Sequence, residues 1–571
     1  MRKMVERLLC ILLIAGPTAV AAVPLVLSPV QAGFKNNLNS TSPVGSNLSN
    51  LVDYSIEQPF VNYFWMARPW FPVKIRNGQE FPNGKVKVDK QGNVLSLNNG
   101  MGARAYLFTI FPADPTLANK TLDVFYDGKG DITYSGADII SQSPGHDVIR
   151  TGSLSDPVND DLILSLTISN LDKKNPLKNF RILPLGGICA DDPLTPVLDS
   201  SGCPKANFLS YRDNYQQIIF SPDFLNNIKS YRTLRFMDWM RTNNSLVSTP
   251  AKLPTFTDQF WTTERGAPIE VMIALANLMD IDPWFNIPHL ANDAYVAKLA
   301  QLVKEQLEPG RKAYFEYSNE VWNGIFTQTE YAIKQGKKFR LNKIPEGLDE
   351  YIGMVRFYSK RSQEIFSILE REIVDKERFR RVMATQAVNA GFTDEILKFK
   401  DAAKVTDFLA IAPYFGDSIF DPAKRDELIK LGPDGIFDWL LNDDNTTLDY
   451  GSLPSVDRKV LEQVETAKEY SVPIISYEGG QHFIGVGEFE TDPELNNLFD
   501  SINRDPRMKE VYTKYLDNWL ARTGQPFNHY VNCDGWSQYG RWGAKEFPLQ
   551  SQQEVPKYDA LMDFISSNPL P

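Results

Sequence analysis

Two glutamates stand where a folded chain can bring them to bear on one bond. In YFEYSNEVWNG (314–324), a run with the character of a buried strand (Ala313, Tyr314, Phe315, Tyr317) ends in Asn319-Glu320, with Trp322 close behind. In VPIISYEGGQHF (472–483), a second apolar run ends in Glu478, followed by two glycines. A carboxyl at a strand tip, with an amide beside it and an indole nearby, suits proton transfer to a glycosidic oxygen. A second strand-tip carboxylate facing the first supplies what double displacement at a sugar carbon needs.

The elements that must hold these acids follow a regular alternation. SPDFLNNIKSY reads as a helix and leads to the strand TLRFMDW; APIEVMIALANLMD leads to DPWFNIP; NDAYVAKLAQLVKEQL leads to the YFEYSNE strand. The pairing continues through RRVMATQAV, DFLAIAPYF, VPIISYEGG and NHYVNCDGW, and YDALMDFIS closes the chain. With a first strand near 47–52, the count is eight strands, each followed by helical sequence, which predicts an α/β fold, a (β/α)₈ TIM barrel. A doubly wound open sheet is the rival, disfavoured because no glycine-rich phosphate loop follows any strand. PFVNYFWMARPW (59–70) has apolar residues at three-to-four spacing and reads as a helix.

Between the first and second strands the texture changes. Short alternating runs such as KVKVDKQGNVLSL, ARAYLFTIF and LILSLTISN, separated by Asn-Gly, Asp-Gly and similar turn signals, predict a β-sandwich. The expected organisation is therefore a signal peptide at 1–32, a flexible leader with the first barrel strand and helix at 33–73, an inserted β-sandwich domain at 74–180, and the rest of the catalytic barrel at 181–571. The active face of such a barrel lies at the C-terminal strand ends. There the count places Arg235 and Asp238 on strand two, Trp284 and His289 at three, Asn319 and Glu320 on four, Tyr414 on six, Glu478 on seven and Trp536 on eight.

The Asn-Glu pair ending strand four, the glutamate ending strand seven, the strand-six Tyr414 and the strand-eight Trp536 together resemble the clan A glycoside hydrolases, retaining enzymes on a (β/α)₈ barrel. The resemblance covers most of the chain outside the leader and the insertion, and the long insertion departs from the simplest members. It implies Glu320 as general acid and then base, starting protonated through burial and the charge of its partner. Glu478 would be the nucleophile, held ionised by donors such as Tyr414 and Arg235, with the two carboxyl groups about 5–5.5 Å apart. Asn319 would bind the sugar 2-hydroxyl. Trp536 would stack under the sugar, with Trp284, Trp322 and Trp542 as further platforms. Each residue also has a plainer reading: Arg235 could pair with Asp238, His289 and His482 could cap loops instead of meeting substrate, and the outer tryptophans could be core.

Composition restricts the partners. The formal charge of −11 and pI near 5.2 leave no broad basic surface for nucleic acid. Only 4 His are present, in no metal-ligand spacing, so neither a metal site nor a cofactor is expected. A polysaccharide or oligosaccharide is the natural partner; the sequence is silent on oligomeric state. Arg2, Lys3 and Arg7 before LLCILLIAG read as an export signal with cleavage after Ala32, or earlier after Ala22, placing the protein outside the cytoplasm, secreted or periplasmic, with no stable membrane insertion. An uncleaved anchor is the competing reading. In an oxidising compartment Cys189 and Cys203 can close a short loop as a disulfide, leaving Cys533 as a buried thiol within a strand. The functional reading is a retaining hydrolase of β-linked polysaccharide; the alternative is a non-catalytic glycan-binding or matrix protein on the same scaffold, which would need the tryptophans but not both acids.

Overall fold

The computed structural model describes residues 34–36, 38–110, 116–153, 161–416, 418–442, 448 and 450–570. The segment read as an export signal lies outside the described residues. Eight parallel strands form a nearly closed barrel: β1 (Val44–Asn47), β2 (Thr233–Arg235), β3 (Asp282–Ile287), β4 (Ala313–Tyr317), β5 (Phe379–Ala384), β6 (Phe408–Ile411), β7 (Ile474–Ser476) and β8 (Phe527–His529). They pair in chain order, with β8 returning to lie beside β1. The remaining seam, between β7 and β8, is held largely by side chains. The Asn528 amide N–H donates to Ser476 Oγ at 2.6 Å, and Asn528 Nδ2 donates to the Ser476 carbonyl at 2.7 Å. Just above, the Tyr530 N–H reaches the Gly479 carbonyl at 3.0 Å.

Strands enclosed on both faces are largely apolar and buried along their length, as β3 and β4 are apart from Asp282, Asn286 and Glu316. The helices outside them bury one stripe each. In Asp293–Gln306 the inward set is Tyr295, Val296, Leu299, Ala300, Leu302 and Val303, and Asn292 caps the helix by accepting from the Tyr295 N–H.

Two expectations near the start of the barrel are corrected. The first strand is Val44–Asn47, upstream of 47–52: its VGSN sequence has little strand character, but Gly45 lets Asn528 and Thr233 approach to where a side chain would stand. The helix expected at 59–70 is a single 3₁₀ turn, Tyr63–Met66, followed by a strand, Phe71–Lys74. Its helix-like spacing of aromatics has another cause. Trp65 stacks on Trp261 (centroids 4.2 Å apart) in the barrel core, while Tyr63 and Phe64 enter the core of the insertion, so the turn is buried from both sides.

Between β1 and β2 lie two four-stranded antiparallel sheets. One joins Phe71–Lys74, Met101–Ile110, Leu162–Ser169 and Asp131–Ser135; the other joins Lys178–Pro184, Thr121–Asp127, His146–Thr151 and Ala137–Ser143. Leu107, Leu164 and Leu166 of the first share one apolar cluster with Val124, Ile149 and Ile182 of the second. A three-stranded sheet follows (Gly187–Cys189, Asp192–Val197, Phe208–Ser210), and Cys189 is bonded to Cys203. With the two cysteines 14 positions apart, replacing both by Ser is expected to cost about 3 kcal/mol through the freed loop, read as a lower melting temperature. Cys533 is buried, but in the loop past β8, where one isolated bridge to Lys545 takes the place of the expected strand. Among the described residues, no helix is long and apolar enough to cross a membrane.

Candidate active site

The end of β4 is bent. Ser318 (φ 63°) and Glu320 (φ 37°) both lie in the left-handed region that side-chain-bearing residues rarely occupy, a cost that must be met by surrounding contacts. The Ser318 N–H is fixed to the Ile287 carbonyl at 2.7 Å, and Gln328 Nε2 holds the Asn319 carbonyl at 2.9 Å. The bend follows the last barrel residue directly and is the backbone feature from which Asn319 and Glu320 project.

Beneath this bend lies a buried guanidinium. Arg235, at the end of β2 and 0% exposed, donates from Nε to Glu316 Oε2 (3.0 Å) and from Nη2 to Glu316 Oε1 (3.1 Å). Its Nη1 donates to Glu478 Oε1 at 2.6 Å and to Asn47 Oδ1 at 3.2 Å, and Nη2 also reaches Asn319 Oδ1 at 2.8 Å. One planar cation thus ties together the ends of β1, β2, β4 and β7, which its fork of donors allows and an ammonium does not. Glu316 is completed by Trp284 Nε1 (2.9 Å) and Asn286 Nδ2 (2.8 Å). Sequence reasoning missed Glu316 and Asn286. A carboxylate inside the otherwise apolar AYFEY strand was the available signal, since a buried charge requires a partner.

Glu478 Oε2 accepts from the Tyr414 hydroxyl at 2.9 Å. Glu320 accepts from the Tyr477 hydroxyl at Oε1 (2.8 Å) and from Asn323 Nδ2 at Oε2 (2.9 Å). Tyr477 and Glu478 are consecutive, so one strand end reaches both acids. Glu320, Trp322, Tyr414, Tyr450, Tyr477 and His482 line a recess of about 410 Å³. Burial pushes Glu478 up to about 8; Glu320 and Asp238 add to the rise, while Arg235 and the Tyr414 hydroxyl oppose it. An ionised Glu478 was expected from the resemblance; its burial outweighs the opposing charge of the guanidinium. Glu316 is also lifted by burial, against Arg235 and its other donors.

Several anticipated substrate contacts are elsewhere. Trp284 is 0% exposed, stacked on Tyr314 (5.4 Å) with its indole N–H on Glu316: it is barrel filling, not a platform. His289 is 5% exposed and packed edge-on against Tyr331, and burial lowers it to about 4, so it too is withdrawn from the cleft. Arg235 is fully buried behind Glu478 and Asn319, and its ion pairs are with Glu316 and Glu478, not Asp238. Asp238 instead accepts from the Tyr530 hydroxyl at 3.2 Å. His482 does line the recess, edge-on to Tyr414 (5.1 Å) and 5.8 Å from Trp542. Trp536 lies seven residues beyond β8, in a neighbouring recess, with Lys557 Nζ 4.3 Å from its ring centre. The aromatic directly past β8 is Tyr530, which the sequence reading passed over.

No family model and no curated protein matches the chain. Solved structures similar to it include a Bacteroides uniformis β-glucuronidase (12% identity, 82% of this chain and 48% of that one, TM-score 0.33). A 4-O-α-L-rhamnosyl-β-D-glucuronidase from Fusarium oxysporum 12S aligns at 13% identity over 60% of this chain and 65% of that one, TM-score 0.35. A broad-specificity GH5-4 endoglucanase from Clostridium longisporum aligns at 13% identity over 60% and 85%, TM-score 0.36. The chain thus spans about half the length of the first of these and just under two thirds of the second.

Proposed function

We propose that this chain is an exported retaining glycoside hydrolase acting on β-linked polysaccharide, with Glu320 as acid/base and Glu478 as nucleophile. The observation that carries the reading is the Tyr477-Glu478 strand end, which hydrogen-bonds the Glu320 carboxyl through one residue and presents the second carboxyl through the next. In the first step the Glu320 carboxyl gives its proton to the departing glycosidic oxygen while a Glu478 oxygen bonds to the anomeric carbon. In the second, Glu320 takes a proton from water, whose oxygen displaces Glu478. Asn319 Nδ2 already donates to Asn243 Oδ1 (3.1 Å), and its second N–H is assigned to the sugar 2-hydroxyl. The two antiparallel sheets are read as an inserted β-sandwich module on the cleft side of the barrel.

Release of reducing ends from β-glucans, mannans and xylans tests the reading; binding to these polymers with no release would leave the non-catalytic alternative. The pH dependence is a sharper check. Glu478 must lose its proton to attack, so kcat/KM is expected to rise with pH through about 8. Tyr414→Phe removes a hydrogen bond to the ionised form; it should move that limb to still higher pH and lower kcat/KM at neutral pH by roughly 10- to 100-fold. An unmoved limb would disconnect Tyr414 from the nucleophile.

A further inference from the structure

A second recess, of about 830 Å³, adjoins the one that holds Glu320, and the barrel supplies only part of its wall. Tyr530, Trp536 and Trp542 come from the loops past β8; Glu80, Tyr106 and Ile163 come from the inserted sheets and their connections. Its volume falls within the range of small-molecule sites and is about twice that of the first recess. Trp542 joins the two: its ring lies 5.9 Å from Tyr530 in the larger recess and 5.8 Å from His482 in the smaller.

The chemistry of this wall is specific. Glu80 accepts from Arg104 (2.5 Å) and from the Tyr106 hydroxyl (2.7 Å), and Arg68 grips Asp53 through two bonds of 3.1 and 2.7 Å. The charges contributed from the insertion side are therefore matched locally. The barrel side adds Asp238, which accepts from the Tyr530 hydroxyl, and Asp534; the rest of the wall is hydroxyls, amides and aromatic faces, a surface suited to the hydroxyls and faces of neutral sugar units and not to an anionic ligand. At the rim, Tyr54 and Tyr539 are 60% and 61% exposed, large rings kept in water at the mouth of a cavity. Such rings are stacking platforms for pyranose faces.

We propose that this recess binds sugar units of the same polymer on one side of the cleavage point, so that the inserted sheets form a wall of the cleft and not a separate binding module. Sugar units then extend to both sides of Glu478, and cleavage falls within chains; that last clause rests on the hydrolase reading, whereas the binding does not.

Electrophoresis in native gels containing barley β-glucan, glucomannan or xylan tests the binding directly. Full-length protein is expected to be retarded in at least one gel. The double variant Tyr54→Ala/Tyr539→Ala, altered only at exposed positions, should lose at least fivefold of that affinity with an unchanged melting temperature. On oligosaccharides of the retarding polymer, its loss of kcat/KM should be about tenfold greater for a hexasaccharide than for a trisaccharide. Retardation in no gel, or equal retardation of the variant, overturns the proposal. Retardation that depends on the two tyrosines, without hydrolysis of the hexasaccharide, supports the recess and counts against the hydrolase.

Discussion

If the proposed double displacement operates, Glu478→Gly is expected to lower hydrolysis by on the order of 10⁵-fold, and added azide should restore turnover while producing a glycosyl azide of inverted, α configuration. The small anion takes the space vacated by the carboxylate, attacks from the same face, and leaves a product that Glu320 cannot process further. Glu320→Ala should respond in the opposite sense: under the proposed roles Glu478 would still form a covalent intermediate with a good leaving group, and azide would then displace it to give the β product. The two anomers thus assign the two roles separately. Matching anomers from both variants, or near-normal turnover by either, would remove the double-displacement reading. The fold should survive loss of Glu478, because Arg235 keeps Glu316 as a bidentate counter-charge at 3.0 and 3.1 Å. Glu478→Gln serves as the conservative control, since its amide oxygen can still accept from Arg235.

Why the acids could be found from sequence while much of their surroundings could not is a question of which forces leave a periodic trace. β4 and β7 are enclosed on both faces, so their runs are mostly apolar, Glu316 excepted, and give way to polar residues at Asn319-Glu320 and Glu478. β1 leaves no such trace: Val44–Asn47 is built from small residues because Gly45 must accommodate Asn528 and Thr233. Side-chain direction was the second loss. Trp284 and His289 lie at or just past β3 and pass as cleft residues by position alone, yet one points into the barrel toward Glu316 and the other packs on Tyr331. Trp536 was misplaced for another reason. A strand of three residues, Phe527–His529, ends before the tryptophan, and Tyr530 takes the place beside Asp238. Only long-range contact decides such cases, and contact between residues hundreds of positions apart has no local signature.

Arg235→Met should combine the largest loss of stability in the site with a loss of activity. Glu316 and Glu478 would both remain buried without their shared cation, and breaking a buried pair from one side typically costs about 3–5 kcal/mol. The sign of the pH dependence follows from the direction of the shifts. Burial already raises Glu478 to about 8 and raises Glu316, with Arg235 as the main opposing charge; without it both rise further. A carboxyl raised in the folded state stabilises below its unfolded value, about 4.3, and that contribution is lost as pH climbs through the folded value. The destabilisation by Arg235→Met should therefore be small near pH 4.5, where both acids are protonated and neutral, and grow toward pH 8 and beyond. Adding Glu316→Gln removes one of the stranded charges and should recover part of the stability at pH 8 but no activity, because Glu478 still lacks its 2.6 Å donor. Arg235→Lys should behave as an intermediate: its ammonium can neutralise one carboxylate but cannot reach Glu316, Glu478 and Asn319 together. Thermal unfolding of the four proteins from pH 4.5 to 9, beside kcat/KM on the hydrolysed polymer, separates the two consequences. A stability difference that stays flat across that range would mean the guanidinium is not what holds these carboxylates in their charged form.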